Sequence, residues 1–83
     1  MRLPRDMSGE ELAALLRRRF GYRLVRQRGS HMRMELSIGD LSHSVTVPRH
    51  RAVHVGTLNG IVAAVAAHLD LTPDDVRARL FQR

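Results

Sequence analysis

With 83 residues the chain has room for one hydrophobic core, so residues 1–83 are read as one domain and a second is excluded. A hydrophobic share of 43% with 27% charged residues excludes a disordered chain, the lack of cysteine excludes disulfides and cysteine zinc sites, and no apolar run reaches the ~18 residues of a membrane span. The net charge of +6 is concentrated: residues 17–51 carry nine arginines against Glu35 and Asp40, the footprint of a phosphate binder or of a solvated basic surface.

The opening residues, MRLPRD, lack the apolar stretch of a signal peptide, and a cytoplasmic location without membrane contact is expected. Ser8-Gly9-Glu10-Glu11 has the form of a capping box that starts a helix, because a hydroxyl and a carboxylate three residues apart satisfy each other's backbone N–H groups. Leu12, Leu15, Leu16 and Phe20 then form one apolar stripe, and Gly21 ends it. In the closing triplet, Arg18 is assigned to the negative end of the helix dipole, with Arg17 and Arg19 left open.

Residues 22–28 have strand composition with irregular alternation, and Gly29-Ser30 reads as a turn. Met32, Met34, Leu36 and Ile38 alternate with Arg33, Glu35 and Ser37, which predicts a half-buried antiparallel strand whose core face carries all four apolar residues. Gly39-Asp40 turns the chain into a third strand, with His43, Val45 and Val47 on one side and Pro48 at its end. A second helix opens at Gly56-Thr57 with Thr57 as its cap, and carries Leu58, Ile61, Val62, Val65 and Leu69. Its near-continuous apolar surface predicts contact with the sheet and first helix together, or with a partner. Thr72-Pro73-Asp74-Asp75 starts a short third helix that runs to about Leu80. The resulting fold class is α+β, a small α-β-β-β-α domain with a short C-terminal helix and a three-stranded antiparallel sheet carrying its helices on one face.

If Met32 and Met34 face the core, His31, Arg33 and Glu35 face solvent together. Positive neighbours such as Arg28 and Arg33 disfavour an imidazolium, so a neutral His31 could take the proton of a ribose 2′-OH while arginines stabilise charge on the phosphorus, with no metal or cofactor required. On its own, an exposed histidine beside a turn is more often a surface residue than a catalytic one. His50, in Pro48-Arg49-His50-Arg51, is either a loop contact to phosphate or an acid for the leaving 5′-oxygen. A metal site of His43, His50 and His54 is rejected, because Pro48 and Val53 oppose a helix that would align positions 50 and 54, and the arginines repel a cation.

The order of motifs resembles the HicA (YcfA-like) toxins. FGYRLVRQRGSH at residues 20–31 looks like that family's first strand and Gly-Ser-His turn, VTVPRH at 45–50 like its third strand and the Val-Pro-x-His that follows, Gly56-Thr57-Leu58 like the start of its second helix, and Leu71-Thr72 like its closing segment. The resemblance implies a double-stranded-RNA-binding-domain-like fold and a ribosome-independent mRNA endonuclease, the toxin of a type II toxin-antitoxin pair. It makes His31 catalytic, with Gly29 and Ser30 shaping its turn, and implies a HicB-type antitoxin covering the basic face or His31. RNA contacts are expected from Arg26, Arg28, Gly29, Ser30, Arg33, Arg49, His50 and Arg51. The competing readings are a non-catalytic RNA-binding module on the same face and, more remotely, a DNA-binding helix pair over residues 57–81, which carries no basic excess. With Phe20, Tyr22 and Phe81 as the sole Phe, Tyr or Trp residues, weak sequence preference and strong salt dependence are expected.

Overall fold

The structure is a computed structural model and describes residues 7–82; the opening MRLPRD and Arg83 lie outside the described residues. Its elements are α1 (Gly9–Phe20), β1 (Arg23–Arg28), β2 (His31–Ile38), β3 (Leu41–Pro48), α2 (Val55–Leu69) and α3 (Pro73–Phe81). The strands form one antiparallel sheet in the order β1-β2-β3.

The capping box at Ser8 forms as its spacing dictates. The Ser8 hydroxyl accepts from the Glu11 N–H at 3.1 Å while the Ser8 N–H donates to Glu11 Oε1 at 3.0 Å, and these bonds hold the Glu11 carboxyl below its usual range. Thr72 and Asp75 repeat the arrangement at the head of α3 with Pro73 inside it. Gly21 closes α1 in the left-handed region at φ 89°, where its N–H donates to the Arg17 carbonyl and the Tyr22 N–H to that of Leu16.

Thr57 is not the cap of α2. The helix begins two residues before it, at Val55, and His54 occupies the cap position without a side-chain hydrogen bond. Tertiary packing explains the shift: Val53 before the cap and Leu58 at the fourth helical position are both buried, the placement of a hydrophobic staple, and the Val53 N–H is fixed on the Met7 carbonyl at 2.8 Å. The broad apolar surface of α2 is divided between β3 and α3, so α3 rather than α1 is its helical neighbour. Among the described residues no single helix is long and apolar enough to cross a membrane; α2 and α3 reach that composition only together, with a 110° bend between them.

The core lies between the helices and one sheet face, with Leu12 and Leu16 of α1, Met32 and Met34 of β2, Val45 and Val47 of β3, and Val62, Val65, Val76 and Leu80 of the later helices. The alternation of β2 continues past this layer: Leu36 is half-buried and Ile38, expected in the core, is 49% exposed beside its partner Leu41. The β2–β3 hairpin thus extends beyond what the helices cover. The irregular pattern of β1 is a bulge, for the register slips between Leu24 and Arg26, leaving Val25 unmatched. That slip restores Arg26 and Arg28 to the face shared with Arg33 and His31.

His43 lies on the helix side, where its Nδ1 is 2.9 Å from the buried Tyr22 hydroxyl and its ring stacks on His68 at 4.3 Å between centroids. Burial pushes the Tyr22 phenol up to about 12, so it remains a donor and His43 Nδ1 must accept. Burial, then the neighbouring His68, pushes His43 below the ordinary histidine value of 6.5. A lowered folded-state value means that the unfolded chain binds the proton more readily, so this contribution is complete above about pH 6.5 and is lost as pH falls through the lowered value. Denaturant titrations should show stability declining on acidification through that window. His43→Gln, which keeps an acceptor for Tyr22 but does not titrate, should flatten the decline; an unchanged slope would place its origin elsewhere.

Candidate functional site

The uncovered face of the sheet is built in rungs. Arg28, His31 and Pro48 lie side by side across β1, β2 and β3; Arg26, Arg33 and Thr46 form the next rung, and Arg23, Glu35 and Ser44 the one after. His31 closes a two-residue turn in which Gly29 has φ 58° and Ser30 does not adopt a positive φ, the pattern of a type II′ hairpin turn whose first position favours glycine. The Ser30 carbonyl also accepts from the Arg49 N–H, and the His50 carbonyl accepts from the Gly9 N–H at 2.9 Å, so the loop after β3 is fastened both to the turn and to the head of α1.

Arg26, Arg28, His31, Arg33 and Thr46 together line a shallow depression of about 150 Å³. Three guanidiniums converge there, and among the described residues none is in an ion pair. The lining therefore consists of fixed positive charge, one imidazole and one neutral hydroxyl. Such a set can hold a phosphate in a bidentate grip, offer an acceptor beside it and stabilise added negative charge. Phe20 and Phe81 pack on the core and Tyr22 is fully buried, so none of these rings is available on the open face for base stacking.

The other candidate residues are placed differently. Arg49 turns to the helix side, 3.5 Å from Glu10, where both line a separate groove of about 270 Å³ with Ala13, Leu24 and Met32. His50 and Arg51 are exposed in the loop but do not line the depression, and Gly29 and Ser30 contribute its turn. Of the α1 triplet left open by the sequence, Arg17 lines the same groove as Arg49 and Arg19 donates to the Gln82 carbonyl at 3.2 Å. Thr46 was not singled out from the sequence, although its place between Val45 and Val47, two core residues, already put it on the polar side of β3.

The chain matches the family described as HicA toxin of bacterial toxin-antitoxin over residues 9–69. It belongs to the HicA toxin family. No curated protein and no solved structure matches it. The HicA match runs from the first residue of α1 to the last of α2 and so includes the whole sheet, the Gly29-Ser30 turn and every residue lining the depression. The closing segment Leu71-Thr72 and α3 fall outside it. Membership of the HicA family gives the chain the role of a toxin and implies a cognate antitoxin as its partner.

Proposed function

We propose that this HicA-family toxin is an RNA endonuclease that cleaves mRNA in the cytoplasm, with His31 as general base and the arginines of the open face as its phosphate grip. The reading is carried by one observation: His31 shares a single depression with Arg26, Arg28 and Arg33 on a face that no helix covers among the described residues. His31 takes the 2′-OH proton, the 2′-oxygen attacks the adjacent phosphorus, and the bond to the 5′-oxygen breaks as that oxygen is protonated from water. The products are a 2′,3′-cyclic phosphate and a 5′-hydroxyl end. Guanidiniums donate to the phosphate oxygens as charge grows on them, the larger share of the rate gain in such sites. His50 and Arg51, exposed beyond the turn, extend the backbone contact, and Arg49 joins it only when freed from Glu10. The antitoxin is taken to be of HicB type, blocking the depression by covering it.

The test is incubation of the purified protein with an end-labelled RNA in EDTA, with products resolved on a gel and their ends typed by phosphatase and kinase treatment. Cyclic-phosphate ends support the mechanism. Intact RNA with a retained gel shift would instead make the protein a non-catalytic RNA-binding module on the same face. Binding should be strongly salt-dependent whichever holds. The three guanidiniums of the depression alone give a log–log slope of roughly −2 on single-stranded phosphates, so a fourfold rise in salt weakens binding by at least about tenfold. Arg33→Gln should reduce that slope by about 0.7, measured by fluorescence anisotropy over a salt series.

A further inference from the structure

We propose that Thr46 distinguishes ribose from deoxyribose on this face, accepting a hydrogen bond from a 2′-hydroxyl neighbouring the one that His31 deprotonates. The inference rests on the RNA reading of the open face and adds to it a residue that sets the class of sugar.

The argument begins with what each side chain lining the depression can do. Arg26, Arg28 and Arg33 are donors only, because a guanidinium has no acceptor, and phosphate oxygens suit them. A ribose hydroxyl differs from the hydrogen of deoxyribose in bringing a proton that needs an acceptor. Among the described residues that line it, only two side chains offer one: the imidazole of His31 and the hydroxyl of Thr46. His31 is occupied by the attacking 2′-OH. Thr46 is therefore the acceptor left for a second sugar.

Its position fits that task. Thr46 is directly opposite Arg33, while His31 is opposite Pro48, so Thr46 and His31 are diagonal neighbours across two strands, with a typical separation of ~7–8 Å. Both line the same depression, so with His31 committed to the attacking hydroxyl Thr46 is placed to meet the sugar beside it on the same backbone. Buried Val45 and Val47 on either side hold the Thr46 side chain on the open face, and its β-branch restricts χ1, so the hydroxyl is held ready before RNA arrives. Thr46 is exposed and its hydroxyl makes no hydrogen bond among the described residues, leaving both its donor and its acceptor capacity for a ligand. Ser42 and Ser44 lie on the same side of β3 but do not line the depression, so they do not duplicate the role.

The experiment measures binding, so that it stands apart from cleavage. A labelled RNA 12-mer and the DNA of the same sequence are titrated by fluorescence anisotropy against full-length His31→Ala, His31→Ala/Thr46→Val and His31→Ala/Thr46→Ser, with melting curves to confirm that all three fold. The parent should prefer RNA. Thr46→Val should reduce that preference about three- to tenfold by weakening RNA alone, the value of one neutral hydrogen bond, and Thr46→Ser should restore it. An unchanged preference, or equal weakening of RNA and DNA, would overturn the role of Thr46 while leaving the RNA reading in place. Failure of the His31→Ala parent to bind RNA at all would overturn the RNA reading and this inference with it.

Discussion

Replacing His31 with alanine should lower the rate of RNA cleavage by roughly 10²- to 10⁴-fold, the usual contribution of one positioned general base. The affinity for RNA should change little, because Arg26, Arg28 and Arg33 keep the phosphate grip. Folding should also survive, since His31 is exposed and its side chain makes no hydrogen bond among the described residues. The measurement is single-turnover cleavage of labelled RNA beside a binding titration of the same preparations. A variant that cleaves within about threefold of the parent would remove His31 from the chemistry, because a lost base of ordinary strength costs at least tenfold more than that. A variant that cleaves slowly only because it binds weakly would make His31 a contact residue. His50→Ala separates the two roles open to the second histidine. As the backbone contact proposed above, its loss should change affinity alone; slowed cleavage at saturating enzyme would instead make His50, rather than water, the acid for the 5′-oxygen.

What could be read in the sequence divides by the range of the interactions involved. The capping box of Ser8 with Glu11 and the Thr72 cap with Pro73 behind it were legible because each signal closes within three residues. The strict alternation in β2 was legible for the same local reason, and it placed His31 and Arg33 together on the wet face. The bulge at Val25 depends on how β1 pairs with β2, so residues 22–28 alone left the face of Arg26 and Arg28 undecided. The start of α2 was misplaced because Thr57 is locally a good cap, while the packing of Val53 and Leu58 that overrides it is tertiary. Ile38 was assigned to the core by period, yet period tells which side a residue faces and not how far the helices reach over that side. The stack of His43 on His68 joins residues from β3 and α2, and nothing near either one announces it. The candidate site was similarly half visible. The excess of arginine in the middle of the chain showed that a basic surface exists, but only strand register brings Arg26 and Arg28 beside Arg33 and adds Thr46, and only the tertiary seating of α1 on the loop after β3 puts Arg49 against Glu10 on the other side.

Gly9→Ala should destabilise the protein by about 3 kcal/mol, the upper end of the cost of overpacking, and lower its Tm by more than about 10 °C. The sign is opposite to the usual effect of alanine for glycine in a helix, which stabilises by up to about 1 kcal/mol. At Gly9 a Cβ would overlap the Pro48 carbonyl oxygen and lie 2.8 Å from its carbon and 3.0 Å from the Arg49 Cα. All three are backbone atoms, so no side-chain rotation relieves the clash. The Gly9 N–H also donates to the His50 carbonyl, and moving the helix away to make room would break that bond. Gly60 supplies the control: it is exposed in the middle of α2, nothing lies within 4 Å of a Cβ placed there, and Gly60→Ala should raise the Tm by several degrees. Thermal melts of the two variants beside the parent decide the matter, and a Gly9→Ala protein that melts with the parent would mean that α1 does not seat on the loop as described. The consequence should reach the site as well. Residues 48–50 run from the Gly9 contact to the Arg49 N–H on the Ser30 carbonyl, one residue from His31, so a loop displaced by the new methyl group disturbs the turn that holds His31. Below its melting temperature Gly9→Ala should therefore cleave RNA more slowly than the parent, while Gly60→Ala should cleave at the parent's rate.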